Sequence, residues 1–424
     1  MVLLLTILLT AAAGGWAAQP SDCSSAGQLV CRDHNNDPVD WYVLYKLPIL
    51  TDATGFARKG LAYLHISSAM ASTETPWSLS EVSIEDKKSH PGRTLAPVYK
   101  NHGREGLFYR FYNDHWPEYE KAVGSEGHTK GVLAHEGNCG FWMIHTVPRF
   151  PPAPKKGAGY RYATGTRPWT GQSFLCISFR TDGTDATKGT DSELDKIINQ
   201  LSITKPYCHA WKDHDDKPID REEDKPHYSL CPDNQPYFKQ VDIATTAEGV
   251  KLTTFAKSSN YRHDLYSGLV APALETDLYA ETWRRAPFSL PSYRYPDSYE
   301  VENVCSVRVI QGRSELDFEY TKDHSKWAVS KDGKEPWVCI GDLNRMETQK
   351  RRGGGTACLK NHNLWKNFRK AVNNNECMGV EDGGDGGRPG RGGRTEKKRS
   401  KLAATRAGRA GGPKRKALKN RRHR

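Results

Sequence analysis

Two short strings place a histidine and a lysine two residues apart, once in each half of the chain. They are Gly127-His128-Thr129-Lys130-Gly131 and Asp323-His324-Ser325-Lys326-Trp327. On an extended strand, side chains at positions i and i+2 leave the same face, so each imidazole could act with an ammonium on one phosphate. The imidazole would supply an acid, a base or a nucleophile, and the ammonium would supply a fixed positive charge.

The sequence around the two pairs also matches. An acidic residue follows each lysine by six positions, and a tryptophan follows each histidine by 14 or 13 positions. These residues are Glu136 and Asp332, and Trp142 and Trp337. This internal repeat predicts two pseudo-symmetric halves whose copies meet at a shared cleft.

The N-terminus has the pattern of a secretory signal peptide over residues 1–17. An apolar run over Val2–Leu9 leads into small residues, and it is short for a membrane anchor. No later stretch approaches about 18 consecutive apolar residues, so stable membrane insertion is not expected. The expected destination is the secretory pathway, with the protein either secreted or lysosomal.

All ten cysteines follow the signal segment, and an oxidising compartment favours their pairing as disulfides. The sequence contains no Cys-x-x-Cys pair of the kind that binds zinc. A bond between Cys208 and Cys231 would close the polar loop from Lys212 to His227. Spacing alone leaves this and the other connectivities open.

The positive charge is concentrated at the C-terminus. Residues 387–424 contain 16 lysines and arginines against a single acidic residue, whereas the whole chain carries +12. Residues 381–424 contain few apolar side chains and are expected to be disordered. Such a basic tail would hold DNA or another polyanion through its phosphates; the alternatives are a solubilising tail or a processing remnant.

The body is predicted to be mixed α/β. Alternating or continuous apolar runs predict strands, and apolar residues spaced three and four apart predict helices. The strands are expected over residues 40–46, 108–112, 131–134, 141–145, 173–179 and 304–310, and the helices over 192–201 and 363–372.

The two His-x-Lys strings and several other short segments resemble sequences of deoxyribonuclease II, a family related to the phospholipase D superfamily. Besides the two His-x-Lys strings, the resemblance rests on ordered matches from about Cys31 to Cys377. They are Pro38-Val39-Asp40-Trp41, Tyr45-Lys46-Leu47-Pro48, Leu175-Cys176-Ile177-Ser178-Phe179, Asp264-Leu265-Tyr266-Ser267-Gly268, Gly341-Asp342-Leu343-Asn344-Arg345 and Arg352-Gly353-Gly354-Gly355-Thr356.

The resemblance implies a catalytic domain over residues 18–380, with a phospholipase D-like pseudo-dimer of two β-sheet halves flanked by helices. The halves would span about residues 31–205 and 232–380. It also implies disulfides that pair Cys31 with Cys176, Cys305 with Cys377, and Cys339 with Cys358.

The implied activity is cleavage of double-stranded DNA at acidic pH, without a metal or cofactor, to leave 3′-phosphate ends. His128 is expected to attack the phosphorus and His324 to protonate the leaving oxygen, while Lys130 and Lys326 hold the phosphate.

Four further residues are candidates for supporting roles. Glu136 or Asp332 would orient a ring, or each is only a turn residue. Asn344 would contact phosphate or lysine. His145 would belong to the site, or it is a histidine satisfied within a strand.

Two other functions use the same sequence features. A lipid phosphodiesterase would employ the same paired His-x-Lys residues, although the sequence has no amphipathic membrane-binding segment. A noncatalytic polyanion-binding protein would act through the tail alone. The retention of both complete His-x-Lys pairs favours the nuclease.

Overall fold

The computed structural model describes residues 23, 27–117, 122, 124–162, 169–181, 192–213, 219–220, 237–246, 249–294, 298–311, 314–375 and 377. The expected signal peptide and basic tail lie outside these residues. So does most of the loop between Cys208 and Cys231, including Cys231 itself.

The first half forms a sheet in which all neighbouring strands are antiparallel. Among the described residues its order is β3-β2-β1-β7-β6-β5-β4-β8-β9. Its elements are β1 (Trp41–Lys46), α1 (Gly55–Arg58), β2 (Tyr63–Ser67), α2 (Ser68–Ser72), β3 (Ser78–Leu79), α3 (His90–Asn101), β4 (Leu107–Asn113), β5 (Lys130–Glu136), β6 (Cys139–His145), β7 (Gln172–Arg180), α4 (Glu193–Thr204), β8 (Cys208–Lys212) and β9 (Ile219–Asp220).

The second half forms a sheet in the order β10-β11-β18-β17-β16-β12-β13, with a small sheet β15-β14-β19 beside it. Short 3₁₀ turns cover Tyr320–Lys322 and Glu347–Arg351, and a π-helical turn covers Tyr266–Val270. The other elements are β10 (Phe238–Ala244), β11 (Lys251–Lys257), α5 (Ala271–Leu274), β12 (Leu278–Glu281), β13 (Val301–Asn303), β14 (Ser306–Gln311), β15 (Ser314–Glu319), β16 (Trp327–Ser330), β17 (Trp337–Gly341), β18 (Gly354–Lys360), α6 (His362–Ala371) and β19 (Val372–Asn374).

The predicted mixed α/β class and two sheet-rich halves are confirmed, and each predicted strand and helix overlaps an observed one. The first half extends to Asp220, beyond the expected boundary at 205, because β8 pairs with β4 and carries β9 with it. Phospholipase D-like ancestry stays a prediction.

The internal repeat is visible in the topology. After each His-x-Lys string the chain runs through three consecutive antiparallel strands, β5-β6-β7 in the first half and β16-β17-β18 in the second. Strands β4 and β12 hold equivalent places on one side of these triplets, and β1 and β11 hold equivalent places on the other. A helix follows each triplet, α4 after β7 and α6 after β18.

The helices begin where the sequence supplies a capping side chain. Ser192 accepts a hydrogen bond from the Asp195 amide, and the Asp195 carboxylate accepts one back from the Ser192 amide, which starts α4. The Asn361 side chain accepts from the Leu364 amide and starts α6. No helix in the described part of the chain is long and apolar enough to cross a bilayer.

The largest hydrophobic cluster contains residues of both halves. Tyr45 of β1 contacts Trp327 of β16 and stacks parallel to Phe368 of α6, with ring centroids 6.3 Å apart in the stacked pair. A second cluster lies on the other face of the first sheet, beneath α3. The two sheets are therefore joined through a common core that holds the site residues of each half in place.

Four disulfides are present among the described residues. Three of them link Cys31 with Cys176, Cys305 with Cys377, and Cys339 with Cys358, as the resemblance implied. The fourth links Cys23 with Cys139 and was not anticipated. Cys208 is buried, and its expected partner lies outside the described residues.

Candidate functional site

His128 belongs to the first half but is held by the second. Its backbone amide donates to the Gly353 carbonyl at 2.9 Å, and its ring Nδ1 donates to the Asp342 carbonyl at 2.6 Å. Because a carbonyl oxygen can only accept, this bond places the proton of the neutral ring on Nδ1. Nε2 therefore keeps a free lone pair, as a nucleophile or base requires.

His324 has the reciprocal arrangement. Its backbone amide donates to the Gly171 carbonyl of the first half at 2.9 Å, and its ring packs on Trp283 with centroids 3.5 Å apart. Each histidine thus takes a backbone partner from the opposite half. His128 lies just before β5, which begins at Lys130, and the second pair lies just before β16, so neither pair lies wholly within a strand as was expected.

Short contacts connect the two histidines. The His128 ring bonds to Asp342, and the next residue back, Gly341, donates its amide to the Lys326 carbonyl at 2.9 Å. The Lys326 Nζ in turn bonds to the His324 carbonyl. These bonds link His128, Lys326 and His324 where the halves meet, and the charge of Lys130 acts on both imidazoles.

Burial and neighbouring cations act on both imidazoles. The pKa of His128 is lowered well below its usual value by burial first and then by Lys130, while Asp114 opposes the change. Burial, followed by Lys326, Lys130 and the other ring, lowers the pKa of His324 well below its usual value. Both rings are therefore predominantly neutral at neutral pH.

The lysines are buried and unequal. Lys130 forms an ion pair with Asp114, which also accepts from Arg352 at 3.1 Å. Burial alone would raise the pKa of Asp114, but Lys130, His128 and Arg352 lower it, so this carboxylate stays ionised. The pKa of Lys326 is lowered to about 7, chiefly by burial and then by Lys130.

The carboxyl groups near the second pair behave differently. The Tyr45 hydroxyl and the Ser325 hydroxyl donate to Asp323, yet burial raises the pKa of this carboxyl. Glu281 at the end of β12 is fully buried, and burial followed by Asp323 raises its pKa well above the usual value. Burial also raises the pKa of Asp342 to about 7. Of these four carboxyl groups, Asp114 is the one whose pKa is lowered.

Two of the supporting candidates lie away from this place. Glu136 lies at the far end of β5 from Lys130, and it pairs with Arg104 at 3.1 Å. Asp332 follows β16, accepts from the Lys334 amide at 3.0 Å and is 62 % exposed. These contacts correspond to the turn-residue alternative, because the length of each strand carries the acid away from the imidazole.

The other two candidates lie closer. His145 ends β6, is fully buried between Phe150 and Phe174, and has its pKa lowered first by burial and then by Lys130. Its Nδ1 accepts from the Val147 amide at 3.2 Å. Asn344 is buried two residues after Asp342, and its Oδ1 has no hydrogen-bond partner within the described ranges.

Sequence reasoning did not single out the residues that fix the first pair. Arg352 donates to the carbonyls of Glu126 and Gly127, at 2.6 and 3.2 Å, as well as to Asp114. Arg352 stands in one of the strings that carried the resemblance, and this was its only signal. Asp114 directly follows β4, where an acidic residue after a buried strand could have indicated it.

Fold and site together define a two-halved α/β protein with one His-x-Lys centre built across the halves. Residues 30–377 match the family model of Deoxyribonuclease II. The chain is 35% identical over 354 residues to Deoxyribonuclease-2-alpha of Sus scrofa, covering 82% of this chain and 90% of that protein. It is 32% identical over 375 residues to Deoxyribonuclease-2 of Caenorhabditis elegans, covering 82% and 93%.

A third relative is Plancitoxin-1 of Acanthaster planci, 33% identical over 351 residues that cover 81% of this chain and 90% of that protein. The chain therefore belongs to the deoxyribonuclease II family.

Proposed function

We propose that this protein is an endonuclease that hydrolyses double-stranded DNA at acidic pH without a metal. The observation that carries the proposal is the bond from His128 Nδ1 to the Asp342 carbonyl. It leaves Nε2 available for attack on phosphorus, at a place shared with a second imidazole and two lysines. Membership of a family whose relatives are named deoxyribonucleases supports DNA as the substrate.

In the first step, Nε2 of His128 forms a bond to phosphorus as the bond to the 5′-oxygen breaks. His324, in its protonated form, donates its proton to that oxygen, so one product leaves with a 5′-hydroxyl. The 3′-linked phosphoryl group stays on His128. Lys130 and Lys326 offset the charge that develops on the nonbridging oxygens, which is the role a metal fills elsewhere.

In the second step, His324 is neutral and accepts a proton from water as the water oxygen attacks phosphorus. The bond from phosphorus to Nε2 breaks, and a 3′-phosphate end is released. His324 regains its proton in this step, so the enzyme returns to its starting state.

The unequal surroundings of the two rings support these roles. The ionised Asp114 opposes the lowering of the pKa of His128, which stabilises positive charge on that ring. A phosphohistidine carries such charge. Burial, Lys326 and Lys130 lower the pKa of His324 and make it a stronger acid once it is protonated.

The lowered pKa of the acid histidine also explains why acidity would be needed. A proton must be present on His324 when DNA arrives, and burial and Lys326 allow this only below the ordinary histidine range. The signal-peptide pattern of residues 1–17 implies the secretory pathway. We therefore propose that the protein is delivered to a lysosome or secreted.

The test is cleavage of supercoiled plasmid at about pH 5 in excess chelator, with analysis of the ends. Wild-type protein should cut and leave 3′-phosphates and 5′-hydroxyls. His128→Ala and His324→Ala should each lose at least about a thousandfold in rate, whereas His102→Ala should match wild type. A requirement for Mg²⁺, or 5′-phosphate ends, would overturn the mechanism. Hydrolysis of phospholipid vesicles at the same rate as DNA would indicate a lipid phosphodiesterase.

A further inference from the structure

Three histidines of the first half meet away from the His-x-Lys residues. His34 lies in the loop after Cys31, His65 lies on β2, and His90 is the first residue of α3. Their ring centroids are 4.7 to 5.4 Å apart. One nitrogen from each ring can be chosen so that the three nitrogens lie within 4.8 Å of one another.

Each of the three rings has one buried nitrogen that lacks a hydrogen-bond partner in the described part of the chain. His34 Nδ1, His65 Nδ1 and His90 Nε2 are all buried and have no hydrogen-bond partner among the described residues. The side chains of His65 and His90 are themselves buried, at 7% and 0% exposure. Buried polar atoms are normally satisfied, and a metal ion bound by the three rings would satisfy these nitrogens.

A contact to Tyr63 can hold the His90 ring in the form that binds a metal. The Tyr63 hydroxyl lies 3.2 Å from His90 Nδ1, and a bond donated by that nitrogen would leave Nε2 as a lone-pair donor. Neutral imidazole is the ligand form of histidine.

We propose that His34, His65 and His90 bind one divalent transition metal ion, with Zn²⁺ as the best fit and water as a fourth ligand. Imidazole nitrogen suits Zn²⁺, Cu²⁺ and Ni²⁺, whereas Mg²⁺ and Ca²⁺ prefer oxygen. Zinc–nitrogen bonds are about 2.0–2.1 Å, so the rings need to move inward by only about 1 Å or less.

The position of the cluster assigns the ion a structural role. His65 shares its face of β2 with Tyr63, which belongs to the core beneath α3, whereas Leu64 and Ile66 belong to the core shared by the halves. The metal would therefore tie the loop of His34 and the start of α3 to the outer face of the first sheet. The proposed cleavage of DNA does not use this metal ion. The nuclease proposal and the metal-site proposal can therefore fail separately.

The test uses the full chain, stripped with chelator and then titrated with Zn²⁺ by calorimetry. A parallel titration with Co²⁺ reports histidine ligation through its visible absorption. The wild type should bind one equivalent and melt at a higher temperature when Zn²⁺ is present. His34→Gln, His65→Gln and His90→Gln should each weaken binding by at least about tenfold.

The controls separate this site from other histidines. His102→Gln changes a histidine at the opposite end of α3, and His128→Ala removes a ring of the proposed active site; both should bind one equivalent with wild-type affinity. His34 is only half-buried, so its variant should keep the circular dichroism spectrum of the wild type. An absence of saturable binding in the wild type, or binding that survives in all three cluster variants, would overturn the proposal.

Discussion

At the scale of single residues, Asp114 is the acidic group on which the first His-x-Lys pair depends. It binds Lys130 and Arg352 at once, and it opposes the lowering of the pKa of His128. Without it, the buried Lys130 would lose its ion-pair partner, a loss that costs several kcal/mol in folded proteins. Asp114 therefore both contacts the cations and favours positive charge on His128, the proposed nucleophile.

We expect Asp114→Asn to reduce kcat at least about a hundredfold. Loss of the carboxylate removes an influence that raises the pKa of His128, so the limb of the pH–rate profile due to that ring should move to lower pH. The measurement is plasmid cleavage across the acid range. Asp317→Asn, at an exposed position on β15, is the matched control and should behave as wild type. An unshifted profile with near-normal rate would show that Asp114 has no such role.

Lys326 gives a prediction of the opposite sign. Its charge lowers the pKa of His324, so Lys326→Met should raise that pKa and move the loss of kcat/KM to higher pH. The rate itself should fall, because a cation that holds the phosphate is gone. Initial rates from about pH 4 to pH 8 measure both effects. A limb that stays in place, or moves to lower pH, would contradict the electrostatic account.

At the scale of elements, glycines allow the halves to come together around His128. A Cβ added to Gly353 would overlap the Thr204 carbonyl at the end of α4, and one added to Gly127 would overlap the same oxygen. These overlaps involve backbone atoms, which cannot rotate away as a flexible side chain can. The end of α4 therefore fixes how closely the two site loops approach.

Gly353→Ala should consequently lower the free energy of unfolding by about 2 kcal/mol and reduce DNA cleavage more than tenfold. Gly103→Ala is the control, because a Cβ there meets nothing within 4 Å. Denaturant titration measures stability, and cleavage at a temperature where both variants are folded measures the site. Normal stability and activity in Gly353→Ala would mean that the halves can separate at no cost.

Much of this architecture could be predicted from the sequence, for physical reasons. Apolar patterning indicated the strands β5 and β6, and spacing three and four apart indicated α4 and α6, because these periods follow directly from local geometry. The partners of His128 could not be predicted. Asp342 and Gly353 lie more than 200 residues away from it in the chain, and only the packing of the halves brings them to the ring.

Glu136 and Asp332 were expected near the imidazoles because of their spacing from the lysines, but both lie away from them. The equal spacing of these two acidic residues after the lysines does reflect the internal repeat, because β5 and β16 occupy equivalent places in their sheets. However, equal spacing does not require nearness to the imidazole. Asp114, which contacts Lys130, directly follows a neighbouring strand, and Arg352, which contacts Asp114, comes from the other half.

At the scale of the whole molecule, positive charge is concentrated in the C-terminal tail and not in the body of the protein. Residues 387–424 carry 16 lysines and arginines, and the rest of the chain is close to neutral. We propose that the active site supplies the chemistry and that the tail, as its composition predicts, attracts DNA. Attraction of this kind comes from release of counterions, so it weakens steeply as salt rises.

A chain that ends at residue 386 should therefore cut DNA at low salt with a normal kcat but a raised KM. Its DNA affinity should also depend less steeply on salt concentration than that of the full chain, in a plot of log affinity against log salt. His324→Ala in the full chain provides the opposite case, with binding kept and cleavage lost. Binding to a short duplex at several salt concentrations, followed by cleavage of the same duplex, measures both. If removal of the tail abolished the biological effect while His324→Ala preserved it, the protein would act by holding polyanions, and its His-x-Lys centre would be idle.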